Sequence, residues 1–375
     1  MAAVSPRIVI APDSFKGSIG AADAAAAIAD GWRDARPGAE PVLRPMADGG
    51  EGTLAAFEVA VPGARRMPVR VPGADGLVRD AAWLLLPATP DAPRGTGVVE
   101  LASTSGIEAL EGRLRPWDAH TRGFGMAIAA ALDHGVSRLV LGIGSSASTD
   151  AGLGMLSELG ALFADAAGAP IPDGLRGLET VSSADLGRLR PLPEKGALVL
   201  TDVTSPLTGP AGAAAVFGPQ KGLGPDEIAR ADAALVRAAA VLPADPSEPG
   251  AGAAGGTGLA LLAWGAALVP GADEVARLVG LADALDAGSV VVTGEGSYDG
   301  QSAAGKVPAI VARLAAEAGA RPALVAGRVA PDADTSGFAA AASLTALAGS
   351  SAAALAEPAR WLREAGSRLA RVLDR

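Results

Sequence analysis

Short apolar runs that end in glycine or polar residues place the strongest constraint on how this chain can fold. They are RIVIAPDSF (7–15), RLVLGIGSS (138–146), ALVLTDV (197–203), SVVVTGEG (289–296) and PALVAGRV (322–329). Alanine-rich stretches such as SIGAADAAAAIADGW (18–32) are typical of helices, and Ser18 is predicted to cap that one. Short Val, Leu and Ile runs between helices indicate buried parallel strands. The sequence therefore predicts an α/β fold.

The length of the chain, and one region that departs from this alternation of strands and helices, indicate more than one domain. The 375 residues exceed the size at which a single core usually stops growing, so we expect two domains. The stretch MPVRVPGADGLVRDAAWLLLP (67–87) alternates apolar and polar residues around a Gly-Ala-Asp-Gly turn. This pattern predicts an antiparallel hairpin. A second domain with a mixed sheet is therefore expected to begin near residue 66.

Composition excludes several classes of protein. The apolar runs are too short or too interrupted for a membrane span, and the N-terminal residues lack the pattern of a signal peptide. The chain has no cysteine, which excludes disulfides and thiolate sites. A net charge of −10 and the absence of a basic cluster argue against nucleic-acid binding. We therefore expect a cytoplasmic enzyme with neither nucleic acid nor membrane as a partner.

The stretch RPMADGGEGTLAAF (44–57) sets Asp48 and Glu51 among three glycines before a predicted helix. Glycines allow a ligand to approach the backbone closely, although acidic residues also favour a helix N-terminus for structural reasons alone. Similar carboxylates follow other strand-like runs, and lysines stand close to some of them in sequence. The carboxylates are Asp13, Asp202, Glu295 and Asp299, and the lysines are Lys16, Lys221 and Lys306. Lysines that contact phosphates and carboxylates that coordinate Mg²⁺ are typical of phosphoryl transfer.

Three glycine-rich segments leave alternatives open. GIGSSA (142–147), with Asp165 after it, fits a dinucleotide-binding fingerprint, and the same loop resembles the phosphate loop of galactokinase-type kinases. GQSAAGK (300–306) is nearly a P-loop, but Val307 replaces the hydroxyl residue, so only a lysine at a helix start is expected, with Pro308 in the first turn. LPADPSEPGAGAAGGTG (242–258) is either a linker or a ligand-binding loop.

Five blocks, taken together, resemble the signature blocks of bacterial glycerate kinases, which phosphorylate D-glycerate with ATP. They are IAPDSFKGS (10–18), PMADGGEGT (45–53), DVTSPLTGPAGAAAVFGPQKG (202–222), PGAGAAGG (249–256) and TGEGSYDGQSAAGK (293–306). The resemblance implies two α/β domains with a cleft between them. One is Rossmann-like and discontinuous (1–66 and 286–375), and the other (67–285) is inserted and has a mixed sheet. It also implies ATP and Mg²⁺, with 2-phosphoglycerate and ADP as products. A homodimer is the candidate assembly, but it does not follow from the resemblance.

Roles for individual residues of the matching blocks and of the GIGSSA loop are assigned as a hypothesis. Asp48, Asp202 and Lys16 are the predicted catalytic residues. The predicted contacts to substrate or phosphate are Asp13, Ser14, Ser145, Ser146, Gln220, Lys221 and Lys306. The predicted metal ligands are Glu51, Glu295 and Asp299. With only His120 and His134 in the chain, a histidine metal cluster is excluded and both histidines are expected to be structural.

The sequence departs from the family pattern at three positions. Met126 stands where glutamate is usual, and Thr149 and Ser205 each stand where asparagine is usual. These departures keep three alternatives open: a kinase of another small hydroxy acid, an NAD-binding oxidoreductase, and a non-catalytic ligand-binding relative.

Overall fold

The computed structural model describes residues 7–299 and 306–373. The chain divides into two compact units. The first comprises the residues up to Asp48, Ala55–Pro62 and the residues from Ala272 onward, and the second comprises Gly49–Leu54 and Gly63–Gly271. The domain boundaries predicted at 66/67 and 285/286 stay a prediction.

Strands and helices alternate along most of the described chain. The strands are β1 (Ile8–Pro12), β2 (Val42–Leu43), β3 (Arg65–Pro72), β4 (Val78–Leu86), β5 (Thr96–Glu100), β6 (Arg138–Gly142), β7 (Leu162–Ala164), β8 (Ser183–Asp185), β9 (Ala197–Leu200), β10 (Ala267–Val269), β11 (Val290–Tyr298), β12 (Arg321–Val329) and β13 (Ala340–Ser343). The helices are α1 (Ala21–Ala35), α2 (Thr53–Ala60), α3 (Leu101–Ser105), α4 (Arg122–His134), α5 (Leu153–Glu158), α6 (Leu175–Leu178), α7 (Ala213–Phe217), α8 (Ile228–Val241), α9 (Ala253–Trp264), α10 (Gly271–Leu278), α11 (Leu281–Ala284), α12 (Val307–Ala318), α13 (Leu344–Ala348), α14 (Ser351–Ala356) and α15 (Pro358–Val372).

The first unit contains a five-stranded sheet in the order β13-β12-β11-β1-β2. All four strand pairs are parallel, and the register sets Pro12 of β1 opposite Gly294 of β11. β1 is completely buried, and so is most of β11, which explains their continuous Val and Ile runs. The predicted parallel strands are therefore confirmed in this unit.

Helices α1 and α15 of the first unit cross at glycines. A Cβ atom on Gly31 would lie 1.8 Å from the Arg363 carbonyl oxygen, and one on Gly366 would lie 2.2 Å from the Ile28 carbonyl oxygen. The two backbones can therefore touch only where neither helix carries a side chain.

We expect Gly31→Ala to lower the free energy of unfolding by about 2 kcal/mol or more, because the added methyl group overlaps a backbone atom. Alanine in an unobstructed helix would instead stabilise it by about 1 kcal/mol. Chemical denaturation measures the difference. Gly337→Ala is the control, since a Cβ atom there meets nothing within 4 Å. A Gly31→Ala variant as stable as the wild type would contradict this close helix contact.

The second unit contains a six-stranded mixed sheet in the order β10-β9-β6-β5-β4-β3. Strands β10, β9, β6 and β5 are parallel, whereas β4 is antiparallel to both β5 and β3. The predicted hairpin is therefore confirmed, with Met67 opposite Trp83. Trp83, Phe124, Leu139 and Trp264 belong to the buried core of this unit. The predicted α/β class, with one parallel and one mixed sheet, is confirmed.

Some local predictions were wrong. Helix α1 begins at Ala21 with Gly20 as its N-cap, so the exposed Ser18 does not cap it. The segment 242–258 lies within the second unit and runs into α9, so it is not a linker between the two units.

The glycine loop after β6 differs from a dinucleotide-binding turn. Ten residues separate Gly142 at the end of β6 from Leu153 at the start of α5, so the glycines do not open the helix. Asp165 follows β7, which pairs antiparallel with β8 outside the large sheet. This arrangement does not favour the dinucleotide interpretation. In the part of the chain that the structure describes, no helix is long and apolar enough to cross a membrane.

Candidate active site

Two neighbouring parallel strands of the first unit bring Asp13 and Glu295 to the same edge of the sheet. Asp13 directly follows β1, and its backbone N–H donates to the Gly294 carbonyl oxygen at 2.8 Å. Glu295 is the next residue on β11 and is buried. The Asp13 Oδ1 atom accepts the Ser14 backbone N–H at 2.6 Å. Carboxylates at the carboxyl ends of parallel strands lie where ligands usually bind in α/β proteins.

Two lysines and a third carboxylate complete this group. Lys16 Nζ lies 3.8 Å from Asp48 Oδ2, and the lysine side chain is 84% exposed. Lys306 Nζ lies 3.6 Å from Glu295 Oε2. We call Asp13, Lys16, Asp48, Glu295 and Lys306 the acid–lysine cluster. It gathers five of the predicted site residues within one unit.

Asp13 has a strongly perturbed carboxyl group. Burial is the largest effect on the pKa of Asp13 and, together with the neighbouring charges of Asp48 and Glu295, raises it from 3.8 to about 7. The Ser14 backbone N–H and the Lys16 ammonium group act in the opposite direction. A carboxyl group with a pKa near neutrality can both accept and release a proton at physiological pH.

Further predictions for the first unit concern the residues after β11 and at the start of α12. Lys306 precedes helix α12 as its N-cap, and Pro308 occupies the first turn, as predicted. Asp299 directly follows β11. The rest of the near-P-loop, residues 300–305, lies outside the described residues.

In the second unit, the loop that carries Glu51 lies against the ends of buried strands. We call residues 49–52 the GGEG loop. The Gly144 N–H, just after β6, donates to the Gly49 carbonyl oxygen at 3.0 Å. Gly49 has a φ of +94°, and a Cβ atom on it would lie 2.5 Å from the Leu200 carbonyl oxygen at the end of β9. Glu51 itself is exposed. Gly49 is therefore required by a close backbone contact.

A carboxylate that the sequence analysis did not identify contacts this loop. Glu100 ends β5, is 4% exposed, and accepts the Gly52 N–H through Oε1 at 3.2 Å and the Leu54 N–H through Oε2 at 2.9 Å. Burial raises the pKa of Glu100, while the Leu54 and Gly52 N–H groups act to lower it. The only sequence signal was an acidic residue at the end of an apolar strand.

Lys221 is buried within the second unit. Its side chain is bonded to the loop after β6: Nζ donates to the Ser148 carbonyl oxygen at 2.5 Å and to Ser146 Oγ at 3.3 Å. Lys221 is 3% exposed, and burial lowers its pKa to about 8, against the opposing effect of the Asp150 charge. The lysine therefore fixes the conformation of the loop that contains Ser145 and Ser146.

Asp150 ties the same loop to two helices. Its Oδ2 atom accepts the Thr121 N–H at 2.8 Å and the Thr121 hydroxyl at 2.7 Å, and its Oδ1 atom accepts the Gly152 N–H at 3.2 Å. Thr121 Oγ1 in turn accepts the Met155 N–H at 2.9 Å. Thr121 precedes α4 and Met155 lies in the first turn of α5, so this network joins both helix starts to the loop.

Three predicted residues of the second unit are exposed. Ser145 has a left-handed backbone with a φ of +57°, a conformation that is uncommon for a non-glycine residue and is often found at functional sites. Gln220 lies in the single helical turn Pro219–Lys221. Asp202 accepts the Gly271 N–H at 3.0 Å. Asp202 therefore has a structural bond as well as its predicted catalytic role, which stays a prediction.

The three departures from the family pattern occupy different settings. Met126 is partly buried in α4. Thr149 is buried in the loop after β6, and its Oγ1 atom has no hydrogen-bond partner among the described residues. The Ser205 carbonyl oxygen accepts the Gly252 N–H at 3.0 Å. Only Thr149 thus leaves a buried polar atom unsatisfied.

The carboxylates fit a magnesium site that substrate completes. Within residues 7–299 and 306–373, no three acidic or histidine side chains converge closely enough to hold a metal ion. Mg²⁺ usually takes one or two protein carboxylates and fills its shell with water and substrate phosphates. Asp13 interacts electrostatically with Asp48 and with Glu295, which suits a cation bound in this partial way.

Comparison with known proteins places the chain in one family. The model of the glycerate kinase family matches residues 8–374. The chain is 41% identical to the glycerate 2-kinase of Escherichia coli K12 over 317 residues, which is 82% of each chain. It is 38% identical to a glycerate kinase of Halalkalibacterium halodurans over 328 residues, 85% of each chain.

A solved structure gives the same result for the fold. The chain shares 37% sequence identity, with a TM-score of 0.82, with a crystal structure assigned to glycerate kinase 2 of Salmonella typhimurium LT2, and 99% of each chain is covered. The match to the family model extends over both units and spans the residue blocks from which the resemblance was inferred. The chain is therefore a kinase that belongs to the glycerate kinase family.

Proposed function

We propose that this enzyme transfers the γ-phosphoryl group of ATP to the 2-hydroxyl group of D-glycerate, which yields 2-phosphoglycerate and ADP. The acid–lysine cluster at the strand ends of the first unit is the observation that carries this proposal. The names of the relatives, glycerate kinase and glycerate 2-kinase, support the acceptor and its position. We further propose a cytoplasmic enzyme that assembles as a homodimer.

The side chains of the cluster suit the proton transfer that this reaction requires. As the glycerate hydroxyl group attacks the γ-phosphate, a carboxylate accepts its proton. Asp48, with Lys16 Nζ at 3.8 Å, is the proposed acceptor. The pKa of Asp13, about 7, makes Asp13 a second candidate. Lys16 and Lys306 of the first unit are the proposed contacts to phosphate or to the glycerate carboxylate.

Magnesium would be held by carboxylates together with the phosphates of ATP. Glu51, Glu295 and Asp299 are each proposed as a magnesium ligand, and Asp13 lies close enough to Glu295 to interact with it electrostatically. Bound Mg²⁺ supplies positive charge that offsets the charge developing on the transferred phosphoryl group.

Two substitutions test the proposed base. We expect Asp48→Asn to reduce turnover by at least about a hundredfold, since loss of a general base typically costs about 10²- to 10⁴-fold. Asp202→Asn tests the second predicted catalytic carboxylate under the same conditions. The initial rate of ADP formation with saturating ATP, Mg²⁺ and D-glycerate is the measurement. If neither variant loses a hundredfold, neither carboxylate is the base.

The position of phosphorylation is settled by the product. Phosphorus NMR of the product of a complete reaction distinguishes 2-phosphoglycerate from 3-phosphoglycerate. We expect the 2-phosphate. Formation of the 3-phosphate would contradict the proposed regiochemistry, and rapid turnover of another small hydroxy acid, without turnover of D-glycerate, would contradict the proposed acceptor.

A further inference from the structure

The GGEG loop is held at the strand ends of the second unit through its backbone. The Gly49 carbonyl oxygen accepts the Gly144 N–H, and a Cβ atom on Gly144 would lie 2.6 Å from Gly50 Cα. Thr53 Oγ1 donates to the Gly50 carbonyl oxygen at 2.7 Å. The direction of Glu51 therefore depends on what fixes the backbone on either side of it.

Glu100 holds the backbone that follows Glu51 in the chain. Its two carboxylate oxygens accept separate backbone N–H groups, those of Gly52 and Leu54, so the side chain spans the end of the loop. Gly52 has a φ of +88°, a conformation that favours glycine. Glu100 is buried, and it is the last residue of β5, a strand that is buried throughout. A rigid strand end thus carries the group that orients the loop.

The electrostatics of this contact favour a carboxylate at position 100. The first N–H groups of a helix have no partner within the helix, and Leu54 is the second residue of α2. The first turn of α2 contains no acidic residue of its own. A carboxylate near these N–H groups is favoured by the helix dipole. Glu100 provides that charge from a strand 46 residues away in sequence.

We propose that Glu100 is a positioning residue for phosphoryl transfer, which holds the GGEG loop so that Glu51 projects from the strand ends in the orientation needed to bind Mg²⁺. The inference rests on the proposed function, in which Glu51 is a magnesium ligand. Glu100 itself acts only through the loop. A residue that merely stabilised the fold would leave the magnesium dependence of the reaction unchanged.

The test compares the full-length wild type with Glu100→Ala, Glu100→Gln and Asp185→Ala. The glutamine variant keeps one acceptor oxygen, and Asp185 is an exposed carboxylate that accepts the Gly187 N–H at 2.8 Å in the same unit. We expect Glu100→Ala to raise the half-saturating Mg²⁺ concentration by about 10- to 100-fold, as loss of such supporting contacts typically does. We expect Glu100→Gln to raise it less and Asp185→Ala to leave it within about twofold of the wild type.

Hydrogen exchange provides a readout that does not depend on activity. In peptides that cover residues 47–57, backbone amides should exchange faster in Glu100→Ala than in the wild type or in Asp185→Ala. Unchanged exchange, or an unchanged half-saturating Mg²⁺ concentration in a folded Glu100→Ala variant, would overturn the proposal. If the wild type did not phosphorylate D-glycerate at all, the proposed function would be wrong, and the exchange rates alone would still decide whether Glu100 fixes the loop.

Discussion

Replacement of Asp13 by asparagine is expected to raise the free energy of unfolding at pH 8 by about 2 to 4 kcal/mol and to lower turnover by about a hundredfold or more. The stabilisation arises because burial and the charges of Asp48 and Glu295 disfavour an ionised Asp13 in the folded protein. Asparagine keeps an oxygen that can accept the Ser14 N–H but carries no charge. The activity loss arises because asparagine can neither accept a proton nor compensate a cation.

The pH dependence of this effect has a definite sign. The pKa of Asp13 is raised from 3.8 to about 7, so between these values the folded protein keeps a proton that the unfolded chain releases. The wild type therefore loses stability as the pH rises through this window. Asp13→Asn does not lose stability in this way. The difference in free energy of unfolding between the variant and the wild type should therefore be near zero at pH 4, grow toward pH 7 and then level off.

Urea denaturation at pH 4, 6 and 8, in buffer with EDTA, measures these differences. Asp185→Asn is the control, since that carboxylate is exposed and lies in the other unit. An Asp13→Asn variant that is less stable than the wild type at pH 8 would contradict the raised pKa. A variant with normal turnover would exclude Asp13 from the reaction.

Replacement of Asp150 by alanine is expected to lower the free energy of unfolding by about 3 to 5 kcal/mol. The change removes the acceptor of the Thr121 N–H, the Thr121 hydroxyl and the Gly152 N–H, all in a buried region. It also removes the charge that favours the protonated form of the buried Lys221. Unsatisfied buried donors typically cost about 1 to 3 kcal/mol each.

Asp150→Asn is the informative comparison, because the amide keeps one acceptor oxygen and replaces the other with an NH₂ donor. We expect its loss of stability to lie between those of Asp150→Ala and the wild type, as measured by chemical denaturation at pH 7. Asp185→Ala, at an exposed carboxylate, should change stability by less than about 0.5 kcal/mol. A loss below about 1 kcal/mol for Asp150→Ala would contradict the structural role of this network.

Strand patterns predicted much of the fold, because a strand that is buried on both faces consists of a nearly continuous run of apolar residues. The Val and Ile runs of β1 and β11 indicated parallel strands, and their pairing then brings Asp13 and Glu295 together. The alternation in residues 67–87 indicated the β3–β4 hairpin, because strands with one exposed face alternate apolar and polar residues. Asp13, which directly follows the buried strand β1, could thus be placed from sequence alone.

Long-range contacts could not be predicted in this way. Glu100 bonds a backbone N–H that is 46 residues earlier in the chain, and nothing in its local sequence indicates that partner. Lys221 stands in a glycine-rich segment where an exposed side chain was equally plausible, and only the folded structure shows that it is buried. Ser18 failed as a cap because the chain turns through Phe15 and Ile19 before α1 begins. Local propensity was overruled there by tertiary structure.

The most direct test of the central claim is the release of ADP from ATP and Mg²⁺ in the presence of D-glycerate. L-glycerate, other small hydroxy acids and a reaction without acceptor are measured alongside. We expect robust turnover that requires D-glycerate and is lost when Mg²⁺ is withheld. A folded protein that releases no ADP in response to D-glycerate would contradict the proposed function. Met126, Thr149 and Ser205 would then be the first positions to examine for a changed substrate or a lost activity.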